Sequence, residues 1–254
     1  MNEGCREVVL DGHGSQILRS PSNTGPLDKL SLSLDSPEES ETTQLPDDYQ
    51  EEASAFSKPR SKCFGLTIKE SSQMSNFYYH GLKVPIMMYR CFTYLDHEIG
   101  YDKVGIFRLS SVKSEINRLE EMFNNLGDVD LVNLNPKPSI HAVTTLFKRW
   151  LRSGERILNE EDCMQLKLLL RLSNVSIRIR EFNSVLRALP SENYQILKCL
   201  FIYLDKVLEY RDQNKNSIES LAMLFSANVS YDPTGKHVPI FTELLVNRKS
   251  YFLD

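Results

Sequence analysis

The chain has 254 residues and a mass of 29.3 kDa, with 30 Lys and Arg against 34 Asp and Glu, a formal net charge of −4 and a pI near 5.8. That balance gives no reason to expect nucleic acid as a partner. The longest strictly apolar run in the core region, 199–204, falls far short of the roughly 18 apolar residues that a transmembrane helix needs. Five cysteines, odd in number and without a Cys-x-x-Cys pair, suggest neither a disulfide framework nor a zinc cluster and fit a reducing, cytoplasmic setting.

Composition breaks near residue 61. Residues 1–61 hold two of the 24 aromatic residues, five of the eleven prolines, and 12 acidic against five basic side chains, a net of −7 that leaves +3 for 62–254. A segment so poor in apolar surface cannot offset its ordering entropy, so 1–61 reads as a disordered acidic tail and 62–254 as the folded domain. Ser36-Pro37 fits a phosphorylation site or a plain tail dipeptide. Lys58-Pro59-Arg60-Ser61-Lys62 fits a solvated linker or a weak peripheral contact with anionic lipid. The acidic opening Met1-Asn2-Glu3-Gly4 offers no signal peptide or myristoylation site, and the end of the chain has no prenylation cysteine.

Strand-type alternation is confined to 64–68. From residue 84 onward the apolar spacing is helical. Pro85 suits a first helical turn, and Met88, Phe92, Leu95 and Ile99 follow at steps of four, three and four. Ile116, Leu119, Phe123 and Leu126 predict a second helix, with Ser110 and Ser111 as capping candidates and Gly127 closing it. Val143, Leu146, Phe147, Trp150 and Leu151 predict a third, ending near Gly154. Further helices are expected at about 160–172, 177–189 and 191–210, the last with Ile196, Leu197, Leu200, Phe201, Leu204 and Leu208 inward. Ser217 can cap one running to about Ala227, and a final helix covers about 239–252. The expected fold class is all-α, a compact helical bundle.

Between the first two helices lies Gly105-Ile106-Phe107-Arg108-Leu109-Ser110-Ser111. A glycine, two large apolar residues and an arginine suit a short loop that pins itself to a core and projects a guanidinium. On spacing alone Arg108 reads equally as an ordinary surface arginine. Lys148 and Arg152, at i and i+4 with His141 and Thr145, share a polar helix face that reads on its own as solvated, and Asn228 reads as a helix-ending asparagine.

The loop resembles the arginine-finger loop of the Rho GTPase-activating protein (RhoGAP) domain family, whose pattern is Gly-Ile/Leu-Phe/Tyr-Arg-x-Ser-Gly. The resemblance continues in order over about 63 to 250. Cys63-Phe64-Gly65 and Val84-Pro85-Ile86 resemble the opening segment, and Lys148-Arg149-Trp150-Leu151-Arg152 the Lys-x-x-x-Arg helix. Leu189-Pro190-Ser191-Glu192-Asn193 is similar to the Leu-Pro-x-Glu-Asn motif, and 221–229 to Leu-Ala-x-x-Phe-x-Pro-Asn-Leu. The resemblance implies a helical bundle of that type, acting as a monomer on a GTP-bound Rho/Rac-type small GTPase and switching off its signal. It implies that Arg108 is inserted in trans beside the nucleotide phosphates. Lys148 and Arg152 would contact the acidic switch surface and brace the loop, and Asn228 would hydrogen-bond at the interface. No cofactor of the chain's own is implied, because the partner carries GTP and Mg²⁺.

Departures from the pattern concern turns. Ser111 replaces the glycine after the loop, the Leu-Pro-x-Pro-Leu continuation is replaced by Ser153-Gly154-Glu155-Arg156-Ile157-Leu158 after Arg152, and Ala227 replaces the proline before Asn228. They keep open an alternative, a GTPase-binding adaptor without catalytic effect. A hydrolase or kinase finds no support: there is no Gly-x-x-x-x-Gly-Lys-Ser/Thr loop, His97-Glu98 lacks a zinc-protease second histidine, and Cys91 and Cys163 fall on helical apolar patterns that read as core.

Overall fold

The computed structural model describes residues 63–252; the expected tail, with Ser36-Pro37 and the 58–62 cluster, lies outside them. In chain order the elements are α1 (Ile68–Gln73), β1 (Tyr78–Tyr79), β2 (Leu82–Lys83), α2 (Ile86–His97), α3 (Lys113–Leu126), α4 (Ile140–Ser153), α5 (Glu160–Leu169) and α6 (Val175–Ala188). They continue with α7 (Ser191–Glu209), α8 (Arg211–Asn214), α9 (Ile218–Val229), α10 (Val238–Val246) and α11 (Arg248–Phe252). The fold is all-α, as the spacing predicts. Among the described residues β1 and β2 are its only strands, an antiparallel pair with Tyr78 opposite Lys83 and Tyr79 opposite Leu82.

No strand forms over 64–68, the one stretch of strand-type alternation. Thr67 caps α1 in a reciprocal box: its hydroxyl accepts from the Glu70 N–H while the Glu70 carboxylate accepts from the Thr67 N–H. Four residues of capping chemistry outweigh a short alternation. Ser139, Asn159, Asn174 and Ser217 likewise cap α4, α5, α6 and α9. Ser110 and Ser111 do not cap α3. Val112 holds that position without a side-chain bond, and Ser111 Oγ instead donates to Glu115 at 2.6 Å. The same carboxylate accepts from the Ser139 N–H (2.7 Å) and Oγ (2.9 Å), which ties the start of α3 to the start of α4.

Two residues placed on apolar stripes fall outside them. Ile99 lies beyond the end of α2 at φ +53, and both Ile99 and Leu126 are exposed. The predicted last helix breaks at Asn247 into α10 and α11. The core is otherwise where the periodicity puts it. All six inward residues named for α7 are buried, and Phe92 of α2 meets Phe147 of α4 at 5.0 Å and Tyr203 of α7 at 4.5 Å between ring centres. Cys91 and Cys163 are buried core residues, and burial pushes the Cys163 thiol up to about 12, far from a reactive thiolate. Among the described residues no helix is long and apolar enough to cross a membrane, and no group of three His, Cys, Asp or Glu side chains is arranged to hold a metal ion.

Candidate functional site

The loop between α2 and α3 folds on itself before it meets the core. Gly105 sits at φ +70, where a Cβ would also fall 2.6 Å from Leu109 Cγ, so only glycine fits without strain. Its carbonyl accepts from the N–H groups of Arg108 (2.9 Å) and Leu109 (2.8 Å), and the Ile106 N–H donates to Lys103 O at 3.0 Å. Ile106 and Phe107 are fully buried while Arg108 is exposed. Phe107 adopts φ +63, a left-handed conformation that costs an L-residue about 1–2 kcal/mol. Its ring packs on Phe225 of α9 (5.3 Å), Tyr203 of α7 (6.0 Å) and Phe147 of α4 (6.5 Å). Burying a phenylalanine stabilises by about 1.5–3 kcal/mol, enough to offset the backbone cost. The anchored ring leaves the next residue, Arg108, facing solvent.

Two other elements hold this loop. From α4, Lys148 Nζ donates to the Phe107 carbonyl; the side chain is only 8% exposed, so the solvated face expected at this position is absent. From the turn between α8 and α9, Asn214 O accepts the Gly105 N–H at 2.7 Å and Asn216 Nδ2 donates to Ile106 O at 3.1 Å. Asn214 Nδ2 bridges Tyr101 O (2.8 Å) and Val207 O (2.7 Å), and Lys215, at φ +60, receives Arg108 Nη1 on its carbonyl at 3.1 Å. Asn214, Lys215 and Asn216 escape a reading of the sequence. Asn-Lys-Asn before a helix cap signals a turn, but not that the turn supports a loop more than 100 residues earlier.

Arg152, one turn beyond Lys148, is exposed and donates Nη1 to Asn228 Oδ1 at 2.9 Å. Asn228 does not end its helix in a left-handed conformation. It lies inside α9, which continues through Ala227 to Val229, and its Nδ2 donates to Leu224 O. The turn after Arg152 lacks the expected prolines but is fastened by other bonds. Gly65 N–H donates to Ser153 Oγ (3.1 Å), Ile68 N–H to Glu155 Oε2 (3.3 Å) and Arg156 Nη1 to Arg152 O (3.3 Å). Gly154 is required by contact: a Cβ there would lie 2.2 Å from Leu66 O.

Electrostatically the four basic residues Arg108, Lys148, Arg152 and Arg156 differ from much of the domain. Arg90, Arg178 and Arg248 pair with Asp128, Glu243 and Asp205, and on the neighbouring face of α4 Arg149 pairs with Glu120. Among the described residues none of the four has a carboxylate partner; they bond to carbonyl and amide oxygens. Burial, with a contribution from Arg152, pushes Lys148 from 10.5 down to about 8. Burial, with a contribution from Lys148, lowers His141, so its imidazole favours the neutral form. His141 Nδ1, Thr145 Oγ1 and Asn216 Oδ1 are buried atoms without a hydrogen-bond partner. Arg152 and Asn228 are thus joined directly, Lys148 reaches the loop that carries Arg108, and Arg108 itself rests on the α8–α9 turn.

A loop packed by its phenylalanine against α4, α7 and α9, beside basic side chains that have no carboxylate partner among the described residues, distinguishes this helical domain. A sequence model of the RhoGAP domain matches residues 85–234, and the chain belongs to that family. It is 30% identical over 196 residues to the probable Rho-type GTPase-activating protein 2 of Schizosaccharomyces pombe, covering 77% of this chain and 15% of that protein. To Rho GTPase-activating protein 68F of Drosophila melanogaster it is 33% identical over 152 residues, 57% of this chain and 30% of the relative. The chain therefore corresponds to a minor part of the length of these relatives. The crystal structure of human Rho GTPase activating protein 15 superposes with a TM-score of 0.69 at 21% identity, covering 76% of this chain and 93% of that one, and shares the fold.

Proposed function

We propose that this domain is a GTPase activator that docks on a GTP-loaded Rho-family small GTPase and inserts Arg108 beside the nucleotide phosphates. One observation carries the reading: an exposed guanidinium, unpaired with any carboxylate among the described residues, is presented by a loop whose backbone is bonded to both α4 and the 214–216 turn. Charge builds on the transferring phosphoryl group and the leaving oxygen during hydrolysis. A guanidinium brought to that position by a fixed backbone stabilises it. Arginine suits the task better than lysine because its planar fork bridges two oxygens. In this reading Arg108 leaves the Lys215 carbonyl when it meets the phosphates, Lys148 holds the loop, and the Arg152–Asn228 pair meets the partner's acidic surface. The partner supplies GTP, Mg²⁺ and the group that orients water, so the domain needs no cofactor.

Single-turnover GTP hydrolysis by a panel of Rho- and Rac-type GTPases, with wild type and Arg108→Ala, tests the reading. The wild-type domain should accelerate one or more of them, and the variant should lose on the order of 10³-fold or more of that acceleration while still binding. Equal stimulation by both proteins would remove Arg108 from the mechanism. Binding without stimulation by either would identify an adaptor that docks on the GTPase and leaves hydrolysis unchanged.

A further inference from the structure

The turn after Arg152, where the chain departs from the family pattern, meets the segment that follows α9. Arg156 Cζ lies 4.3 Å from the centre of the Tyr231 ring, and Arg156 Nη1 donates to Arg152 O. Tyr231 is 59% exposed and adopts φ +52, a backbone state that a bulky residue rarely takes unless its surroundings enforce it. Here its neighbours enforce it. Ser230 is buried and bonded to Ser226 O (2.8 Å) and His237 Nδ1 (3.0 Å). Asp232 is buried and accepts the N–H groups of Lys236 (2.9 Å) and His237 (2.6 Å). Between two anchored residues the ring turns out to solvent, where it adds little to the core. Arg156 spends one of its five N–H donors on Arg152 O and has no carboxylate partner among the described residues.

We propose that Arg156 and Tyr231 form a specificity-determining contact that extends the Arg108, Lys148 and Arg152 strip into the turn that follows α4. It takes a carboxylate side chain of the partner GTPase. The guanidinium binds the carboxylate, and the ring holds the guanidinium in place and shields it from water, an arginine–tyrosine combination well suited to an interface hot spot. The proposal rests on the GTPase reading above. Because the contact is made by surface residues away from Arg108, it acts on association rather than on the hydrolysis step.

The test uses the full chain and GTPases loaded with GDP and aluminium fluoride, titrated with wild type, Arg156→Gln, Tyr231→Ser and the double variant. Single-turnover rates at saturating domain and thermal midpoints are measured alongside. On a GTPase that the wild type engages, each single variant should weaken binding about tenfold. The double variant should be little worse than the weaker single, and the salt dependence of affinity should flatten in Arg156→Gln. The saturating rate should stay at the wild-type value, and the thermal midpoint should fall by no more than the few degrees that loss of the bond to Arg152 O allows. Unchanged affinity in both single variants would overturn the contact while leaving the GTPase reading intact, as would a fall in the saturating rate at unchanged affinity. Failure of the wild type to bind any GTPase would overturn the GTPase reading and the contact with it.

Discussion

Replacing Lys148 by methionine separates the energetic cost of the site from its use. Burial and the nearby Arg152 bring the ammonium from its ordinary 10.5 down to about 8. At about 1.4 kcal/mol per tenfold change in proton affinity, folding disfavours the charged form by roughly 3 kcal/mol. The folded-state value lies below the unfolded one, so between about pH 8 and 10.5 the unfolded chain holds more protons. Stability contributed by this group therefore rises with pH through that window and is lowest at neutral pH, where the folded protein carries a buried charge. Methionine removes the titration and also the bond to the Phe107 carbonyl. A bond to a charged donor contributes about 1.5–3 kcal/mol, so the two effects nearly cancel at pH 7. Urea unfolding of both proteins at pH 7, 8, 9 and 10 should show near-equal stability at pH 7. The wild-type advantage should then grow by about 2–3 kcal/mol by pH 10. The buried tyrosines and cysteines, whose values burial raises, are common to both proteins and cancel in the difference. A difference independent of pH would refute the buried-charge argument.

Asn216→Leu leaves the Ile106 carbonyl without its donor, so it should lower stability by about 1–3 kcal/mol. It should also reduce stimulated hydrolysis at saturating domain more than it weakens binding; an unchanged single-turnover rate would show that the 214–216 turn does not set the loop's position. Gly154→Ala tests the close approach of the chain before α1 to the end of α4. Its φ of −113° suits any residue, so the expected loss of about 1–3 kcal/mol in chemical denaturation comes wholly from the 2.2 Å clash with Leu66 O, and a neutral result would refute that contact.

The fold was legible because helices announce themselves locally. The stripe Val143, Leu146, Phe147, Trp150 is buried as its spacing requires, and Ser217 caps α9 as its position suggests. Misreadings arose where a local pattern had two physical outcomes. The alternation at 64–68 coincided with a Thr67/Glu70 box, and Ser111 found the Glu115 side chain instead of a helix N–H. Ile99 continued the stripe of α2 in spacing but lies past the helix end. For the candidate site the residue types were legible through resemblance, but their supports were not. Periodicity marks Lys148 as polar-faced. Its burial depends on Phe107 turning inward 41 residues earlier, and the 214–216 turn acts through two backbone oxygens and two asparagine amides whose distant partners no local pattern marks.

The loop concentrates physical costs that most of the domain avoids. Five helix starts are capped by side chains that accept the first free N–H groups, and several arginines sit in ion pairs. Around Arg108 the chain instead keeps a phenylalanine in a left-handed conformation, a lysine whose charge is buried without a carboxylate, and an asparagine oxygen buried without a donor. The polar side chains at 148 and 216 are kept as donors to the Phe107 and Ile106 carbonyls. Such costs persist only when the surroundings fix the arrangement, and here three elements do so: the aromatic core beneath Phe107, α4 through Lys148, and the turn through Asn214 and Asn216. What the arrangement gains is a guanidinium placed by a backbone with little freedom to move. In the proposed reading the strip has no carboxylate among the described residues to neutralise it from within, and the acidic surface of a partner would complement its charge.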